Sequence, residues 1–94
     1  MNLIRIDELK QELKELEKKY KKKCPIMRGS ITCMGTKNKQ PYFSLSLKGK
    51  TKVIYLGDKR AKIAEKYIQN YKEAEVLINE MTLIQMEILK LSPK

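Results

Sequence analysis

Fifteen Lys or Arg residues fall between Lys18 and Lys66 against two acids, Asp58 and Glu65, so that this stretch carries +13 while residues 1–17 and 67–94 carry −2 and −1 within a chain of net charge +10. Inside the basic stretch stand Arg28, Thr32, Tyr42, Ser44, Ser46, Lys48, Lys50 and Lys52, with Lys37 and Lys39 in a flanking loop and Lys59 and Arg60 just beyond. Cations neutralise phosphates, and Ser, Thr and Tyr hydroxyls donate to them. A single-sign patch costs self-repulsion, so its chemistry is that of a polyanion-binding face. A solvated Lys-rich surface kept for solubility is the plainer alternative, but solubility does not require neutral flanks around a charged middle.

Catalysis has little to work with. The chain has no His, and Glu12, Glu15, Glu17, Glu65, Glu73, Glu75, Glu80 and Glu87 are spaced as separate solvated charges on helix faces, without the pairing that acid–base work requires. Asp58 and Glu65 are seven residues apart across a helix start, which suits a cap and a salt bridge. Gly29, Gly35, Gly49 and Gly57 do not form a phosphate-cradling loop. Two cysteines, Cys24 and Cys33, are too few for a structural zinc site in one chain. They are expected as free thiols, with Cys33 buried beneath the sheet. No enzyme activity, cofactor, metal or small-molecule substrate is expected.

Local patterning predicts the elements that position the basic face. Ile6, Leu9, Leu13, Leu16 and Tyr20 recur in steps of three and four, predicting an amphipathic helix over about 5–22 that Pro25 cannot continue. The period then falls to two, and a sheet is expected over about 29–57. Its strands are Ser30–Met34 between two glycines, Tyr42–Lys48, and Lys52–Leu56 after a turn at Gly49. The alternation puts Phe43, Leu45 and Leu47 on one face and Tyr42, Ser44, Ser46 and Lys48 on the other, so one side is expected to be apolar and the other hydroxylated and basic. Asp58 then caps a helix over about 59–91, ~50 Å long at the usual rise. The fold class is α+β: an N-terminal helix, a three-stranded antiparallel sheet and a long C-terminal helix with coiled-coil-like packing, as a single domain over 1–94.

The second helix is about twice the length of the first. An apolar seam of Leu77, Met81, Ile84, Ile88 and Leu91 is therefore expected to lie beyond the first helix's reach and to form a homodimer interface. Closure of the seam within one chain is the alternative.

The succession Arg28-Gly29-Ser30-Ile31, Pro41-Tyr42-Phe43, Lys48-Gly49-Lys50 and Tyr55-Leu56, followed by a long helix with Ala64 and Asn70-Tyr71, resembles a small prokaryotic family, a domain of unknown function found around mobile elements. The resemblance spans about residues 26–75. Many members carry a Cys-rich loop that suggests a metal knuckle, of which Cys33 and Gly35 alone remain here. The hairpin also resembles, in architecture, the three-stranded DNA-binding heads of phage-type integrases. Together these features lead to the expectation of a small non-enzymatic nucleic-acid-binding protein of phage or mobile-element origin, with DNA preferred to RNA. The alternative is a protein-interaction module, such as an anti-CRISPR-like inhibitor, docking on a nucleoprotein complex through the same basic face. The opening Met-Asn-Leu-Ile-Arg lacks the order of a secretory signal, and the basic part is not an amphipathic helix, so a cytoplasmic protein without membrane binding is expected.

Overall fold

In a computed structural model, residues 2–94 form α1 (Asn2–Lys23), β1 (Ser30–Met34), β2 (Gln40–Leu47), β3 (Lys50–Tyr55) and α2 (Gly57–Leu91). The strands make an antiparallel sheet in the order β1-β2-β3, giving the expected α+β architecture with the long second helix packed against the first. The chain divides into two compact units, one formed by the residues up to Cys24 with Glu73–Lys94, the other by Pro25–Lys72.

In the first unit α1 lies along the second half of α2. Ile6, Leu9 and Leu13 share a buried cluster with Ile88, and Met81, Ile84 and Leu91 pack against it. Each such side chain gains about 1.5–3 kcal/mol on burial, so this stripe holds the two helices together. Ala74 is fully buried, and Lys23 Nζ lies 3.7 Å from Glu73 Oε1. The residues of the expected dimer seam lie along α1 of the same chain: Ile88 is buried in its cluster, Met81, Ile84 and Leu91 pack against it partly buried, and Leu77 is half-buried outside the cluster. The cause is a division of labour along α2, whose first half is taken up by the sheet. What α1 leaves exposed is a different set, including Val76, Leu83, Met86 and Leu89.

In the second unit the sheet closes on the first half of α2. Phe43 and Leu56 are buried with Ala61 and Ala64, and Met27, Ile31, Leu45 and Ile68 pack against them. Two alanines one turn apart on the helix let its backbone approach the large Phe43 ring. The segment before β1 is tied to the same helix, with Met27 N donating to the Tyr67 carbonyl at 3.1 Å and Asn70 Nδ2 to the Pro25 carbonyl at 3.1 Å.

The β2–β3 hairpin has a two-residue turn. Leu47 pairs with Lys50, and Lys48 and Gly49 both take positive φ, 51° and 76°, the pattern of a turn whose twist matches that of its strands. The third strand therefore starts at Lys50, two residues earlier than alternation suggested, and this shift decides which side chains share a face.

Candidate nucleic-acid interface

Directly paired residues of an antiparallel ladder point to the same side, so the register sorts the sheet into two faces. One side carries Ile31, Phe43 and Leu45, which pack in the core beside α2. The other carries Ser30, Thr32 and Met34 from β1, Gln40, Tyr42, Ser44 and Ser46 from β2, and Thr51, Val53 and Tyr55 from β3. This outer face is hydroxylated, as expected, but the expected lysines are not on it. Lys50 pairs with Leu47 and Lys52 with Leu45, so both point to the helix side, at the end of the sheet remote from the buried Phe43–Ala64 contact. Lys52 and Lys50 are therefore corrected from the outer face to the opposite one.

The other cations stand at the two ends of the outer face. At one end Arg28, just before β1, donates from Nη2 to the Ser46 carbonyl at 3.2 Å, and Lys48 occupies the exposed hairpin turn. At the other end Lys37 and Lys39 lie in the exposed loop 35–39, and Lys59 and Arg60 in the first turns of α2. At this second end Leu56 N donates to the Pro41 carbonyl at 3.0 Å, which carries the β2–β3 pairing up to the start of α2. At the usual rise the eight residues of β2 separate the two cation clusters by ~25 Å.

An aromatic group sits at the second end. Tyr42 and Tyr55 are directly paired, their ring centroids 5.4 Å apart and their planes at 67°, an edge-to-face contact. Arg60 lies with its guanidinium carbon 5.9 Å from the centre of the Tyr55 ring, held there by Nε donating to the Leu56 carbonyl at 2.7 Å. Tyr55 Oη donates to Gln40 Oε1 at 3.4 Å. Tyr55, Thr51 and Gln40 were missed from sequence, because only the register reveals that Tyr55 lies opposite Tyr42; the signal available was a second Tyr at the far end of the predicted hairpin.

Cys24 and Cys33 are free and both are exposed. The burial expected for Cys33 is corrected: it lies on the edge strand β1 opposite Pro41, near the loop end, where no helix covers it. Among the described residues no group of three or more His, Cys, Asp or Glu side chains is placed to hold a metal ion, and no helix is long and apolar enough to cross a membrane.

No protein-family model, curated protein or solved structure matches the chain.

Proposed function

We propose that this chain is a non-enzymatic, cytoplasmic nucleic-acid-binding protein that engages its ligand through the outer face of the sheet. One observation carries the reading: an exposed, uncharged, hydroxyl-lined sheet face holds a Tyr pair and is bracketed by Arg28 and Lys48 at one end and Lys37, Lys39, Lys59 and Arg60 at the other. Bases and sugars suit the hydroxyls and rings, and phosphates suit the cations. The sheet unit Pro25–Lys72 carries eleven Lys or Arg against two acids, a charge that also concentrates a polyanion around it and accelerates encounter. The protein acts as a homodimer in this reading, paired through Val76, Leu83, Met86 and Leu89, which α1 leaves exposed.

The test is binding of fluorescein-labelled oligonucleotides, measured by anisotropy across a salt series. Each phosphate contact contributes roughly 0.7–0.9 to the log–log salt slope, so affinity should fall steeply with salt. Arg28→Glu with Lys48→Glu should weaken binding far more than the same change at Lys10 and Lys14 of α1. Equal losses would reduce the face to generic charge, and no binding at low salt would refute the reading.

A further inference from the structure

Resting on the nucleic-acid reading, we infer that the ligand is single-stranded, with unpaired bases stacking at the Tyr42–Tyr55–Arg60 group. Three features of the unit lead there.

The first is where the rings are. Tyr55 is 47% exposed although it belongs to a sheet with a buried side, and Tyr42 beside it is half-buried. Two neighbouring aromatics on an open sheet face cost apolar exposure and gain nothing for the core, which is built on the opposite side around Phe43. Bases have a π-face whatever their sequence, and such rings are what unpaired bases stack on.

The second is the fixed arginine. Its Nε bond to the Leu56 carbonyl and its position near the Tyr55 ring hold a planar cation beside the aromatic pair. A guanidinium in that place stacks on a base or meets the adjoining phosphate, and it is pre-positioned before the ligand arrives.

The third is the distribution of charge. Reading a duplex through its major groove calls for long polar side chains projecting from the strands to base edges. Here the strand positions on the outer face beside the tyrosines are Ser30, Thr32, Ser44, Ser46, Thr51, Val53 and Met34, short or apolar, and Gln40, the one long polar side chain, whose Oε1 accepts from Tyr55 Oη. The cations sit instead at the ends, a layout that lets a flexible strand run along the face with its backbone held at both clusters.

The experiment compares a short oligo(dT) with a duplex of the same length, titrated into the full chain at low salt, for the unmodified protein, the Tyr42→Leu/Tyr55→Leu variant and the Tyr42→Phe/Tyr55→Phe variant. Circular dichroism checks that each variant is folded. Because the chain has no Trp, tyrosine emission is a second readout that needs no variant, and stacking should quench it. The expected result is tighter binding of oligo(dT) than of duplex, quenching on binding, a loss of roughly tenfold or more for the Leu variant, and near-full retention for the Phe variant. Equal binding of both oligonucleotides without quenching, with the Leu variant unchanged, overturns the single-strand inference and leaves the nucleic-acid reading standing. No binding of either oligonucleotide by the unmodified protein overturns both.

Discussion

Gly29→Ala should be among the most damaging single-methyl changes available to this chain. Gly29 adopts φ +153°, a conformation that L side chains rarely take, and a Cβ placed on it would lie 2.5 Å from Phe43 Cζ, 2.7 Å from the Ser44 carbonyl oxygen and 2.9 Å from Phe43 Cε2. The ring cannot simply turn aside, since Phe43 is 7% exposed and packed with Leu56, Ala61 and Ala64. The Ser44 oxygen is backbone of β2, where Ser44 pairs with Ser30, so moving it opens the β1–β2 register. Strained backbone costs ~1–3 kcal/mol and overpacking a filled core a further ~1–3 kcal/mol, against a total stability of roughly 5–15 kcal/mol for a protein of ordinary stability. Gly49→Ala is the internal control. Gly49 has φ +76° but nothing within 4 Å of the added methyl, so it should lose only the left-handed backbone cost of ~1–2 kcal/mol. Urea unfolding followed by circular dichroism reads both. A Gly29→Ala loss no larger than that of Gly49→Ala would refute the claim that the close approach at Phe43 fixes β1 on the sheet.

Leu9→Ala, at a position 2% exposed in the α1–α2 cluster, should destabilise the chain by ~2–5 kcal/mol, read by the same unfolding curves. Asp at both Ile84 and Ile88 should melt the two-helix unit, because these residues face α1, whereas Leu83→Gln with Leu89→Gln should leave helicity intact and, under the proposed homodimer, lower the sedimentation coefficient to that of a monomer; an unmodified protein that already sediments as a monomer would refute the pairing. Both thiols of the folded protein should react rapidly with a thiol-specific reagent, as Cys24 and Cys33 are exposed; slow reaction of either would contradict its placement.

The elements were readable from sequence wherever a local signal bounded them. Gly29 and Gly35 bracket β1, and the residues between them, Ser30–Met34, are the strand that forms. The amphipathic repeat of Ile6, Leu9 and Leu13 likewise marks the buried stripe of α1. The faces of the sheet were harder to read, because Val53, Ile54 and Tyr55 follow one another without alternation and leave the pairing to the turn. A turn at Lys48–Gly49 sends Lys50 and Lys52 to the helix side and brings Tyr55 opposite Tyr42, whereas a later start for β3 hides that pair. The partner of α2's second half was hidden for a related reason. Apolar residues from Val76 to Leu91 lie all around the helix, so periodicity alone did not say which would meet α1 and which would stay exposed.

The central claim, that the outer sheet face is the nucleic-acid surface, is tested most directly by amide chemical-shift mapping of the 15N-labelled chain titrated with oligo(dT). The account predicts the largest shifts at Arg28, Thr32, Tyr42, Ser44, Ser46, Thr51 and Tyr55, with the two-helix unit undisturbed. Shifts centred on the Lys18–Lys23 run of α1, with the outer face silent, would contradict it.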